Sequence, residues 1–137
     1  MQEAIEALVG KLERLELIDD RRYAELKVVA LHARGRSQRA IRATLAAKGL
    51  DRSTIDDALG SQFGDPIAAE REAAIRYARR RRLGPYRDET QRADRRQKDL
   101  AAMARAGFAY GVARDVVQAD DAAALDDELT AGNIAVG

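Results

Sequence analysis

The chain has 137 residues, no cysteine, 46% hydrophobic but only 4% aromatic residues, and a formal net charge of +1. That length holds one domain or two small modules sharing a core, and it excludes larger architectures. The absence of cysteine excludes disulfides and thiolate metal sites and suits the cytoplasm, as does the lack of a signal peptide or of any run near the ~20 apolar residues of a membrane span. Much of the hydrophobic content is alanine, so the core should be thin and made of many small helix contacts.

The helical elements follow in chain order. Ile5, Leu8, Leu12 and Leu15, with Val9 alongside, predict an amphipathic helix over residues 3–15. The stretch LELIDD should end it, with Asp19 or Asp20 capping a second helix from about Arg21 to Arg34 that buries Tyr23, Leu26, Ala30 and one side of Val29 and Leu31. Gly35 terminates that helix. Ser37 then caps a helix with Ile41 and Leu45 on its apolar stripe, Gly49 closes it, and Asp51 caps a third helix that buries Ile55, Ala58 and Leu59. Leu50 and Ile55 bracket that cap as a hydrophobic staple, which fixes the angle between the two helices. Gly60 to Pro66 reads as a linker.

A long helix is expected from about Ile67 to Arg82, with Ala74, Tyr77 and Ala78 facing in, and it stops at LGPY. A helix from about Arg92 to Arg105 buries Leu100, Met103 and Ala104. Gly107 caps it, and a last helix carries Val112, Ala113, Val116 and Val117. Placing Gly49 over Gly107 matches Leu45 with Met103, Leu50 with Phe108, Ile55 with Ala113 and Leu59 with Val117. The fold class is therefore all-α, as tandem three-helix repeats of helix-turn-helix-like modules forming an elongated, curved body. The expected division is residues 1–18 as the last helix of a truncated first repeat, 19–60 and 61–118 as two three-helix repeats, and 119–137 as a mobile, disordered acidic tail with at most a helical turn or two at Ala122 to Leu129.

The near-neutral balance hides a segregation. Residues 1–20 and the stretch after Arg114 are acidic, while residues 71–98 carry half of the arginines. Such a pattern points to a polyanionic or acidic partner, or to contact between the ends and the middle. Three blocks, LIDDRRYAEL, HARGRSQRAIRATLAAKGLDRSTIDDAL, and ARRRRLGPY with KDLAAMARAGFAYGVARDVV, closely resemble the RecX family of bacterial RecA regulators over roughly residues 8–118. The resemblance implies binding along the groove of the RecA filament on single-stranded DNA. It also implies modulation, mostly inhibition, of strand exchange, ATP hydrolysis and coprotease activity in DNA repair and the SOS response. Two features depart from the family pattern: the first repeat is reduced to one helix whose apolar face must still be covered, and Glu16 stands where a helix-ending glycine is usual.

The candidate RecA- or DNA-binding residues are Arg34, Arg36, Arg39, Arg42 and Lys48 in the first module, and Arg79, Arg80, Arg81, Arg82, Arg92, Arg95, Arg96 and Lys98 in the second. The plainer reading of Arg36, Arg39 and Arg42 is a solvated helix face, whereas the four consecutive arginines Arg79 to Arg82 circle their helix, so some must lie near the module junction. Tyr86 and Tyr110 are candidates for stacking on a base, although a tyrosine beside a turn more often packs. His32, the only histidine, has no partner at ligand spacing. No GxxxxGK[ST] loop and no nucleophile with a base and an orienter occurs, so no enzyme, no catalytic or metal site and no cofactor is expected. The partners expected are the RecA filament and single-stranded DNA within it, with no membrane, and the free protein is expected to be monomeric. Two other readings compete. A helix-turn-helix transcription factor fits the outline at Ile41–Leu59, but Asp51, Asp56 and Asp57 would face phosphates. A general single-stranded DNA binder fits the arginine clusters but not the few aromatics.

Overall fold

A computed structural model describes the backbone of residues 1–136 and the side chains of residues 1–132. Among the described residues the chain is all-α, with no strand and seven helices: α1 Gln2–Ala33, α2 Gln38–Ala47, α3 Arg52–Gln62, α4 Pro66–Arg81, α5 Arg92–Arg105, α6 Tyr110–Val117 and α7 Ala122–Val136. None of them is long and apolar enough to cross a membrane.

Local chemistry sets these boundaries. The Ser37 hydroxyl accepts the Ala40 N–H at 3.1 Å, Asp51 accepts that of Thr54 at 2.8 Å, and Asp65 accepts that of Ala68 at 3.1 Å, so three helices begin on a side-chain cap. Gly49 and Gly107 end α2 and α5 with φ of +89° and +98°, a conformation that costs other residues about 1–2 kcal/mol. Leu50 packs on the first core beside the buried Ile55, as the staple requires.

The core divides in two. Ala24, Val28 and Leu31 of α1 meet Ile41 and Leu45 of α2, Ile55, Ala58 and Leu59 of α3, then Phe63 and Ala69. A second cluster joins Ala73, Ala74, Ile75 and Ala78 of α4 to Leu100 and Met103 of α5, Phe108, three residues of α6, and Leu125 and Leu129 of α7. Helix α4 serves both clusters, Ala69 in the first and its later turns in the second. Its small residues let neighbouring helices approach closely, which is how a chain poor in aromatics fills two thin cores.

The structure corrects four expectations. First, α1 is one continuous helix of 32 residues rather than two helices broken at LELIDD. Nothing from Glu16 to Asp20 is glycine or proline, so helix propagation costs less than a break, and Arg21 and Glu25 form an i,i+4 ion pair just beyond. Second, the buried stripe of its C-terminal half is Ala24, Val28 and Leu31; of the expected residues Leu31 is buried, while Tyr23, Leu26, Val29 and Ala30 are exposed, Leu26 by 64%. Third, among the described residues no other element covers the apolar face of residues 5–15, and Leu12 is 57% exposed. Fourth, the acidic tail is not disordered over its described part. Asp121 caps α7 through the Ala124 N–H at 2.7 Å, and Leu125 and Leu129, one turn apart, are buried against α4. The Gly60 to Pro66 linker also contributes more than expected, since Phe63 is buried and stacks at 4.8 Å against His32.

Candidate binding site at the junction of the two units

The two cores meet where the end of α1 turns into α2 against α4 and the end of α5. Gly35 makes this approach possible. Its φ is +81°, and a Cβ there would lie 2.7 Å from the Tyr77 backbone N, so the turn rests directly on the α4 backbone. Two residues on, the fully buried Ser37 hydroxyl donates to the Ala106 carbonyl at 2.7 Å while it caps α2. Gly107 leaves room for that hydroxyl, since a Cβ at Gly107 would meet the Ser37 Oγ at 2.5 Å. The Gln38 N–H donates to Glu70 at 3.1 Å, and the Gln38 amide donates to the Pro66 carbonyl at 2.7 Å. Burial raises the Glu70 pKa, and the Gln38 N–H opposes that shift. Nearby, His32 faces Glu72 at 3.1 Å. Backbone and short side chains fix the junction, leaving long side chains at its rim.

Those long side chains are arginines. One cleft of about 470 Å³ is lined by Arg34, Arg36, Arg80, Arg81 and Arg105 together with Tyr77. An adjoining cleft of about 620 Å³ shares Arg34 and Arg80 and adds Arg76, Arg79 and, from α7, Asp126. Arg81 lies over the Tyr77 ring at 5.7 Å, and Arg80 donates to the Arg34 carbonyl at 3.4 Å. Among the described residues no ion pair engages Arg34, Arg36, Arg80, Arg81 or Arg105. Arg76 and Arg79 reach Glu72 and Asp126 only at 3.6 and 3.8 Å. Several guanidinium groups held around one concavity without carboxylates concentrate positive charge there.

The candidate residues separate into groups. Arg34, Arg36, Arg79, Arg80 and Arg81 come together at the junction, and Arg39 lies beside it, near Gly107. Arg95 and Lys98 share the stripe of α5 that continues through Ala102 and Arg105 to the cleft, by the i, i+3, i+7, i+10 spacing, whereas Arg96 follows the Leu100 and Met103 line. Lys48 sits at the far end of α2, about 15 Å along the helix from Ser37. Arg82 closes α4 with φ of +56°. Two candidates are tied up structurally. Arg42 pairs with Asp56 of α3, and Arg92 donates to the Val117, Ala119 and Asp120 carbonyls at the end of α6, at 3.2, 2.6 and 3.1 Å. Tyr86 is also engaged, donating to Asp126 at 2.7 Å, and burial, followed by that carboxylate, raises its phenol pKa far above the ordinary range. Tyr110 stays 65% exposed, with Arg114 over its ring at 5.9 Å.

Sequence reasoning missed Arg76 and Arg105. The spacing of Arg95, Lys98 and Arg105 on one helix face was the available signal for Arg105. It also missed the pair that builds the turn after α4, where buried Asp99 accepts the Gly84 N–H at 2.8 Å and two nitrogens of Arg87 at 2.8 Å. Gly84 lies so close to α6 that a Cβ would come 2.8 Å from the Val117 Cα.

Comparison with known proteins bears on the family. The family described as RecX, second three-helix domain, matches residues 19–59, which are the second half of α1 with α2 and most of α3. A protein named Regulatory protein RecX from Myxococcus xanthus is 40% identical over 119 residues, covering 86% of this chain and 63% of that protein. Proteins of the same name from Agrobacterium fabrum and Amycolatopsis mediterranei are 33% identical over 103 residues and 32% identical over 118. These matches cover 75% and 85% of this chain and 53% and 65% of the relatives. The chain therefore spans less than two thirds of each of these relatives. No solved structure matches. The tandem three-helix architecture, the matched three-helix domain and relatives of one name along most of the chain agree: the chain belongs to the RecX family.

Proposed function

We propose that the chain is a non-enzymatic regulator that binds in the groove of the RecA nucleoprotein filament and modulates, mostly by inhibition, its recombinase, ATPase and coprotease activities. The observation that carries this reading is the junction of the two units, where Arg34, Arg36, Arg80, Arg81 and Arg105 surround one cleft with no carboxylate among them. Like charges gathered this way repel one another until an anionic surface satisfies them, so the cleft favours a partner that presents carboxylates or phosphates at helical intervals. Acidic side chains of the filament meet that need directly, and phosphates of the single strand it encloses meet it in second place. Bridging neighbouring protomers would hold the filament in one state and keep the incoming duplex out.

The test is titration of the chain into RecA, single-stranded DNA and ATP, following ATP turnover and strand exchange. Both should fall as the chain saturates the filament; no change in either removes the proposal. A general single-strand binder would bind DNA tightly without RecA, with affinity falling steeply as salt rises. The transcription-factor reading is weakened by Asp51, which caps its own helix, and by Asp56, which already holds Arg42, because together they leave the exposed start of α3 acidic.

A further inference from the structure

We infer that α7 is an internal competitor for the arginine clefts: its Asp126 takes the place of an anionic partner, and the partner must lift α7 away to engage the junction fully. This rests on the proposed anionic partner of the junction and concerns what regulates its access. The two adjoining clefts share Arg34 and Arg80 and differ in one respect. The cleft that reaches α5 has no carboxylate in its lining, whereas the other sets Asp126 of α7 among Arg34, Arg76, Arg79 and Arg80. An anion that spans both clefts meets that carboxylate. Asp126 also makes two contacts at once, accepting the Tyr86 hydroxyl at 2.7 Å and standing 3.8 Å from the Arg79 guanidinium. Docked α7 therefore withholds both an arginine and a tyrosine from a partner. The Asp126 side chain is 41% exposed and that of Arg79 60%, so water reaches the pair and a better acceptor can replace it.

The helix is held lightly enough to leave. Its described part buries only two side chains, Leu125 and Leu129, and adds the Tyr86–Asp126 bond and the surface pair of Arg71 with Glu128. An element with so few buried apolar contacts is among the first to open. Its charged residues, Asp126, Asp127 and Glu128, are all acidic, and it lies on α4, the helix that supplies Arg76, Arg79, Arg80 and Arg81 to the clefts. Release of α7 and capture of a partner are thus one exchange of acidic surfaces on the same arginines. Only residues 118–121 join α7 to α6, so the released helix stays near and competes at an effective concentration of about millimolar. A partner that binds the undocked state better draws the chain into it, and weakening the dock tightens the partner.

Half-inhibition of RecA ATP turnover on single-stranded DNA, measured for wild type, Asp126→Asn and Asp127→Asn, tests this. The two variants remove the same charge from the same helix, but Asp127 is exposed and lines neither cleft. Asp126→Asn should inhibit at about threefold lower concentration than wild type, and Asp127→Asn at the wild-type concentration. The lack of cysteine allows a lock: Arg71→Cys with Glu128→Cys, bridged by a bismaleimide where the ion pair stood, fixes α7 on α4. The bridged form should need at least about fivefold more protein than the same variant capped at each cysteine by a monofunctional maleimide. Asp126→Asn no more potent than Asp127→Asn overturns the competition, and equal potency of the bridged and capped forms overturns the displacement. Absence of inhibition by every form, wild type included, is a different result: it removes the RecA reading and this inference with it.

Discussion

The two three-helix units follow one plan and hold their first inter-helix turn by different means. Between α1 and α2 the turn is short, and it is fixed by a glycine pressed on the α4 backbone and a serine that caps one helix while bonding to another unit. Between α4 and α5 the connection runs from Arg82 to Gln91 through two short 3-10 turns, and a buried carboxylate with its arginine holds it. The second unit therefore spends Arg87 and Arg92 on its own scaffold, and the first spends Arg42. Of the arginines left over, Arg34, Arg36, Arg80, Arg81 and Arg105 collect where the units meet. Counting arginines does not locate a site; asking which ones the fold has already engaged does.

Asp99→Ala should have the largest effect on this contrast. It leaves the Arg87 guanidinium and the Gly84 N–H without their acceptor, at a cost of about 3 kcal/mol. Thermal unfolding should then begin about 10 °C lower. The two glycines at helix ends separate conformation from crowding. Gly35 and Gly49 have nearly the same φ, +81° and +89°, but only Gly35 faces a backbone at 2.7 Å; nothing lies within 4 Å of a Cβ at Gly49. Gly49→Ala should cost about 1 kcal/mol in denaturant unfolding, and Gly35→Ala at least about 2 kcal/mol, because the junction must also shift. Equal costs would show that α4 yields freely. Ser37→Ala loses a cap and a bond to the other unit together, about 2 kcal/mol, and should shift the unfolding midpoint more than Asp51→Ala, which loses only its own cap.

What could be read from the sequence was local. Caps at Ser37 and Asp51, the glycines after α2 and α5 and the apolar spacing of α2 and α3 are decided within one or two turns, and they stand where spacing places them. The continuity of α1 was not legible, because Asp19 and Asp20 look like caps and only the lack of a breaker argues otherwise. Its buried face was misread apart from Leu31 because both sides of the helix are apolar. The cleft was half legible: the run Arg79 to Arg82 is conspicuous, but the meeting of Gly35 with Tyr77, and with it the place of Arg105, depends on contacts between residues more than forty apart. The docking of α7 was masked by its acidic composition, since two leucines one turn apart suffice where α4 already offers an apolar surface.

The smallest effect concerns that docking. Arg71 donates to Glu128 at 2.8 and 3.1 Å, and this bond lowers the Glu128 pKa below its ordinary 4.5. A carboxylate with a depressed folded pKa contributes its full stabilisation above the unfolded value and loses it as pH falls through the folded one. Protection of the α7 amides, taken relative to their intrinsic exchange rate at each pH, should accordingly fall slightly below about pH 4, by a few tenths of a kcal/mol, because both side chains are partly exposed to solvent. An Arg71→Gln variant should lack that acid dependence.

The central claim is that the unengaged arginines at the junction make the contact with the RecA filament. The most direct measurement is inhibition of RecA ATP turnover on single-stranded DNA by three forms of the chain: wild type, the combined Arg34→Ala, Arg80→Ala, Arg81→Ala and Arg105→Ala variant, and Arg42→Ala as the scaffold control. The junction variant should need at least about a hundredfold more protein for half inhibition, the loss expected from removing two or more charge-assisted contacts, while Arg42→Ala stays within about threefold of wild type. Equal potency of the junction variant and wild type, with both folded, would contradict the claim.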